Sequence, residues 1–433
     1  MKISKRVLLA VASATLALLP LAGCTGGTGT SGSGGTIESE KGAKLSIMIP
    51  GHNEKSTEES AWQNPVVAAF KEQYPDVTVE FVTAGWDTWY TKVLSAYKSG
   101  EPIDLINDGA NNNPKFALKG ITQPLEKFVN MDNKNLHKTT MDSVFKYNNH
   151  YYVAVSETNV AVVYYNKNLF QSEGVDDPAT LYEQGKWDWD NFTRVAKALT
   201  SEADNRWGFT TNYPYLFYGA NATSMLTLTK DAKYQLNIDA PALTQSLEII
   251  QDGYFTSGWS GYDGDPYSTF YKGAAAMLAD FQWTEANIIG ARDYDLADFE
   301  YGVVPMPAGP NNTDGVSPVT AAGWAIGNGS DCPAHVGKLI DMLVDGQAAY
   351  IEKTNQKLNA ENVALYKKLA EKPFCTNSYD SAVGGAYEIC GAIGDGQSIS
   401  QAIEEYKPIY QRMVDQANSS EIEDVTSVAE NVD

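Results

Sequence analysis

The hydrophobic pattern changes period four times between residues 44 and 107, and no other feature constrains the fold of this chain as much. Lys44 to Ile49 reads as an apolar strand. Trp62 to Tyr74 carries apolar residues at 62, 66, 69, 70 and 74, the stripe of a helix, and Pro75-Asp76 closes it. Val77, Val79 and Phe81 alternate as a second strand, Trp89 to Lys98 reads as a second helix ended near Gly100, and Ile103 to Asn107 is a third short strand. Strand, helix, strand, helix, strand is the order of a parallel sheet covered by helices. Ligands of such sheets sit beyond the carboxyl ends of the strands. The loops of interest are therefore 52–60, 85–89 and 107–113.

The N-terminus points outward from the cell. Lys2, Lys5 and Arg6 precede an apolar run from Val7 to Leu19, which is too short to span a ~30 Å hydrocarbon layer comfortably and has the form of an export signal. The run ends Leu21-Ala22-Gly23-Cys24, similar to the lipobox of bacterial lipoproteins, and the Gly/Thr/Ser tract that follows is a flexible spacer. The expected order is a signal peptide over 1–23, a lipid on Cys24 and a spacer over 24–43. The alternative is ordinary secretory cleavage near Ala22. Loss of residues 1–23 removes three positive charges and no acidic ones, moving the formal charge from −22 to −25. A balance so negative argues against nucleic acid, which requires a basic footprint. No other stretch approaches eighteen apolar residues, and the length after the spacer suggests two domains.

The second half repeats the alternation less regularly. Tyr151 to Ser156 and Val160 to Tyr165 read as two strands separated by a crossing at Glu157–Asn159. A helix opens at Trp187 with Asp188 or Asp190 as its cap, and another opens at Pro241. Short apolar strands are expected at Gly273–Leu278, Tyr301–Val304 and Trp324–Gly327, with helices over Pro333–Val344 and Tyr406–Ala417.

Several stretches together resemble one family. They are Phe70-Lys-Glu-Gln-Tyr-Pro-Asp-Val-Thr-Val79, Ser99-Gly-Glu-Pro-Ile-Asp-Leu105, Val162-Val-Tyr-Tyr-Asn-Lys167, Trp187-Asp-Trp-Asp-Asn-Phe192, Lys272-Gly-Ala-Ala-Ala-Met277 with Trp283, Gly302-Val-Val-Pro-Met-Pro307 and Gly323-Trp-Ala-Ile326. In this order, over residues 44 to about 418, they resemble the sugar-type extracellular solute-binding proteins of ABC importers, the family that includes maltose-binding protein. The resemblance implies an α/β, two-lobed periplasmic-binding-protein-like fold, each lobe a sheet flanked by helices, with a hinge and an interlobe cleft. Lobe one would be 44–156 plus 284–329, and lobe two 160–279 plus 334–433. It also implies a monomer on the extracellular face of the cell membrane, a carbohydrate ligand, an ABC permease as partner and no cofactor.

A sugar offers apolar C–H faces and a rim of hydroxyls, so its site needs aromatic platforms and fixed polar partners. The resemblance places Trp283 and Trp324 on the cleft. Trp86 and Trp89 flank the second loop, and one of them is expected to face the ligand while the other covers the helix start. Asn107 and Asp108 end the third strand, where the carboxylate accepts sugar hydroxyls or caps a turn. Glu157 and Asn159 sit at the first crossing, Asp280 and Gln282 at the second, each as a ligand contact or a solvated hinge. Tyr213, Tyr215 and Tyr218 form an aromatic cluster that offers one platform, and His52 follows the first strand.

Two other readings were weighed. A glycosidase needs a carboxylate pair, but no catalytic motif is present and the four histidines at 52, 137, 150 and 335 are scattered and read as exposed. A peptide or polyamine ligand would keep the same fold. No cysteine spacing resembles a zinc site. Cys375 and Cys390 either form a disulfide, leaving Cys332 over, or all three are buried thiols.

Overall fold

A computed structural model describes residues 36–52, 62–86, 88–109, 112, 114–294, 296–375, 383 and 387–419. The expected signal peptide, Cys24, most of the expected spacer and the acidic C-terminal residues lie outside them. No helix among the described residues is long and apolar enough to cross a membrane.

The first three strands, β1 (Lys44–Met48), β2 (Thr78–Phe81) and β3 (Leu105–Gly109), form the expected parallel sheet, with Leu45 opposite Val79 and Ile47 opposite Leu105. Between them run α1 (Gln63–Gln73) and α2 (Trp89–Lys98), which bury Val67 and Phe70, and Val93 and Leu94, respectively. The next major strand, β4 (Ala154–Asn166), is continuous over thirteen residues and buried along nearly its whole length. Two strands joined by a crossing at 157–159 were expected. The chain stays extended there because Glu157, Thr158 and Asn159 pair with Ala322, Ala321 and Thr320.

Strand β4 ties the molecule together. Its first half pairs antiparallel with β7 (Ser317–Gly327), which in turn pairs with β3. Its second half pairs with β5 (Met277–Phe281) and β6 (Tyr301–Pro305). Two hydrophobic cores follow from this. One gathers Leu45, Phe70, Leu94, Phe116 and Trp324. The other gathers Val163, Phe192, Phe217, Trp259 and Val414. In the second, α3 (Trp189–Leu199) is capped by Asp188, which accepts from the amide of Asn191, and buries Phe192, Val195, Ala196 and Leu199. After β5 comes α4 (Thr284–Asp293).

The partition expected for residues 334–433 needs correction. Helix α5 (Pro333–Asn355) and α6 (Ala360–Leu369) pack on the first core through Val336, Leu339, Ile340, Leu343, Tyr366 and Leu369, and Cys375 follows them there. Only from Val383 onward do the described residues join the second core. The spacer is also shorter than expected. Thr36 caps a turn at Ile37–Glu40, and Glu40 is buried with its carboxylate on the amides of Ala334 and His335 and on Nδ1 of His335, 2.9 Å each. A carboxylate at a helix start is well placed to meet its orphan amides.

Of the two alternatives for the cysteines, the Cys375–Cys390 bridge is not formed. Cys332, Cys375 and Cys390 are buried thiols, and the last two belong to different cores. Nor are the histidines all exposed: His52 and His335 are buried, and burial lowers the pKa of His137, whose Nδ1 lies 2.9 Å from Thr158 Oγ1.

Candidate functional site

A cavity of about 750 Å³ opens where β1, β2 and β3 end. Its wall begins with Ile49–His52 after β1, Trp86 after β2 and Asn107 in β3, as the strand-end rule requires. Glu157 and Asn159 of β4 and Gln282 and Trp283 after β5 also line it.

Each of these side chains has a visible support. Gly51 has a φ of +71°, open to glycine, and its amide donates to Ala84 at 2.8 Å. The Trp86 indole lies over it, so an added Cβ would come 3.0 Å from Nε1. Trp86 is 74% exposed. His52 Nε2 lies 2.9 Å from Asn64 Oδ1 and its ring packs on Phe81. The Asn107 amide donates to the Gly323 carbonyl. Asn159 Nδ2 donates to Glu157 Oε1 at 2.8 Å. Burial raises the Glu157 carboxyl above its ordinary range, and this hydrogen bond restrains the rise. The Gln282 backbone N–H donates to the Val160 carbonyl and its side-chain oxygen accepts from the Val160 N–H, and Trp283, 39% exposed, leans on Phe281 with ring centroids 4.7 Å apart.

Six candidates lie elsewhere. Trp324 is 1% exposed inside β7, edge-on to Trp62. Trp89 is buried against Phe116. Asp108 is fully buried in β3 opposite Gly323. Asp280 is buried and accepts from the Phe281 amide and the Thr284 hydroxyl, so it braces the start of α4. Tyr213 packs on Phe281 and Tyr215, and Tyr218 is fully buried with its hydroxyl 3.1 Å from Cys390 Sγ. The solvated-hinge alternative also fails at Asp280, which is 1% exposed.

One wall was missed by the sequence reading. Trp62 stacks on Tyr350, centroids 6.2 Å apart, and both line the cavity. Beyond Tyr350, Gln347, Ile351, Thr354, Asn355 and Leu358 continue the same wall. Their spacing is helical, so a mixed polar and apolar stripe after Val344 was the available signal. Tyr366 joins them; its hydroxyl donates to the fully buried Glu285 at 2.6 Å, which also accepts from Tyr301 and Asn362. Burial and these neighbouring groups push the Tyr366 phenol far above its ordinary range, so it stays a donor.

Aromatic faces, amides and one carboxylate around this cavity have the chemistry to receive a polar solute. The profile of the bacterial extracellular solute-binding protein family matches residues 53–349. The chain belongs to that family. A putative binding protein of Brucella abortus is 24% identical over 278 residues, which is 62% of this chain and 64% of the relative, so the match spans just under two thirds of that protein's length. Among solved structures, the ABC substrate-binding protein Lmo0181 of Listeria monocytogenes, in complex with cycloalternan, has a TM-score of 0.65 at 18% identity, over 87% of this chain and 98% of that one. UgpB of Mycobacterium tuberculosis, in complex with glycerophosphocholine, has a TM-score of 0.67 at 18% identity, over 86% and 99%. At such identity the likeness establishes the bilobed α/β fold of these solute-binding proteins and leaves the ligand to the cavity. The family is one of binding proteins rather than enzymes.

Proposed function

We propose that this solute-binding protein captures a carbohydrate in the cavity and delivers it to the permease of an ABC importer. The observation that carries the reading is the pairing of two partly exposed indoles, Trp86 and Trp283, with the side-chain polar groups of Asn107, Glu157, Asn159 and Gln282 around one cavity. Indole faces suit the C–H face of a sugar ring, and amides and a carboxylate suit its hydroxyls. The Listeria neighbour, in complex with cycloalternan, supports the same reading. We place the hinge at β4 and Gln282, where the two cores meet on shared strands. Closure there requires the ligand to bind the closed form better than the open one.

We further propose that Cys24 carries the lipid that holds the protein on the extracellular face of the membrane. Two acyl chains anchor stably where one is marginal. A tether keeps the receptor at high effective concentration near its permease.

A thermal-shift panel on the mature protein tests the ligand. Maltotriose, cellotriose, xylotriose and β-1,4-galactotriose form the sugar arm; a tripeptide and spermidine form the other. A sugar at about 100 times its dissociation constant stabilises by about 2.7 kcal/mol, about 3 °C for a chain of this length. Stabilisation by the tripeptide or spermidine alone would replace the carbohydrate reading.

A further inference from the structure

We infer that the cavity selects uncharged carbohydrate against acidic and phosphorylated sugars, and that Glu157 sets this preference. The inference rests on the carbohydrate reading for the word sugar, and on the cavity alone for the sign of charge.

Among the described residues that line the cavity, Glu157 is the only carboxylate and there is no lysine or arginine. Two lysines, Lys134 and Lys367, line the adjoining cavity of about 730 Å³ instead. The remaining titratable groups on the wall are His52, engaged with Asn64, and the phenols of Tyr350 and Tyr366. Residues 53–61, which follow His52 in the chain and lie outside the described residues, carry one lysine and three glutamates. Their net composition is acidic. The protein as a whole has a formal charge of −22, so its long-range field also disfavours anions.

Glu157 is fixed rather than floating. It stands in the middle of β4, opposite Ala322, and one carboxylate oxygen accepts from Asn159 at 2.8 Å. Among the described residues the second oxygen has no hydrogen-bond partner, and it keeps lone pairs for a ligand hydroxyl. A neutral sugar donates to that carboxylate. A uronate or phosphate brings a second negative charge into a half-enclosed site. At an effective dielectric of about 20, like charges roughly 6 Å apart repel by enough to weaken binding about 100-fold. Phosphate binders commonly meet the same problem with arginine or lysine, and the described wall offers neither. The bilobed fold does not decide the matter, since UgpB of the same fold is in complex with a phosphodiester.

The experiment is calorimetry on the mature protein at pH 8, where an ordinary histidine is neutral. The neutral arm is maltotriose, cellotriose, xylotriose and β-1,4-galactotriose. The acidic arm is trigalacturonate, glucuronate and glucose 6-phosphate, and spermidine and a tripeptide provide non-sugar controls. The expected result is binding in the neutral arm, with the acidic arm about 100-fold weaker or more. Glu157→Gln is expected to narrow that ratio below about 10-fold while its thermal midpoint shows it folded. The wild-type ratio stands as a test without the variant. Tightest binding in the acidic arm would overturn the charge selection and leave the carbohydrate reading intact. Spermidine or tripeptide binding, with every sugar rejected, would overturn the carbohydrate reading and leave the charge selection intact. A ratio unchanged in folded Glu157→Gln would remove Glu157 as its source.

Discussion

Trp283 and Trp324 have similar sequence surroundings and different fates. Each follows a run of small residues near a strand, and the family resemblance placed both on the cleft. Trp283 lies two residues past Phe281, the last residue of β5 to pair with β4. Trp324 lies inside β7, paired with Asn107 on one side and Ala154 on the other. The first is 39% exposed at the cavity and the second is 1% exposed in the core. Trp283 is available to a ligand because it stands past the last rung of its ladder, whereas Trp324 is covered by its own protein inside one. Trp86 and Trp89 repeat the contrast: one stands in the loop after β2 and the other has entered α2 and turned inward.

The largest effect should fall on the buried member of the first pair. Trp324→Ala removes a core indole that touches Trp62, and a loss of about 3–5 kcal/mol is expected. Differential scanning calorimetry should show a midpoint lowered by about 5 °C. A midpoint within 1 °C of wild type would mean that Trp324 is not core. Trp283→Ala should do the reverse, costing roughly 100-fold in sugar affinity, as anchoring aromatics do, with little change in the unliganded midpoint. Retained affinity for the best sugar would take Trp283 out of the site.

Smaller changes sharpen the same contrast. Gly51→Ala forces a residue with a Cβ into the left-handed region and presses 3.0 Å from the Trp86 indole. About 1 kcal/mol of stability should be lost, and sugar affinity should fall several-fold as Trp86 shifts. An unchanged affinity would show that Trp86 is not held by this glycine. The smallest effect concerns Glu157. Burial raises its carboxyl, so its ionised form is disfavoured in the folded state and subtracts stability above the folded pKa. That penalty fades as pH falls through the folded value toward the ordinary 4.5. Glu157→Gln should therefore raise the ligand-free midpoint slightly at pH 7 and lose the advantage at acid pH. The opposite trend would contradict a burial-raised carboxyl.

The fold was legible because its determinants are local. The alternation over 44–107, the cap at Asp188 and the helix-opening Pro241 act within a few residues, and the strands and helices they announce are present. The site was legible only in part. Residues at strand ends, such as Trp86, Asn107 and Gln282, follow from the topology of a parallel sheet. The α5 wall does not. Gln347, Tyr350 and Thr354 meet the cavity because α5 packs on the first core rather than the second, a long-range choice that no short window contains. Asp108 and Asp280 misled for a related reason. Each stands within two residues of a lining residue, Asn107 or Gln282, but β3 buries one in its ladder and Thr284 with the Phe281 amide occupies the other.

The direct test is a fluorine NMR titration of the mature protein with its nine tryptophans labelled as 5-fluorotryptophan and assigned by single Trp→Phe variants. Maltotriose, cellotriose, xylotriose and β-1,4-galactotriose are added one at a time. The resonances of Trp86 and Trp283 should move with at least one sugar, while those of Trp89 and Trp324 stay. Movement of Trp89 or Trp324 with Trp283 unmoved, or no movement with any sugar, would contradict a carbohydrate site at the ends of these strands.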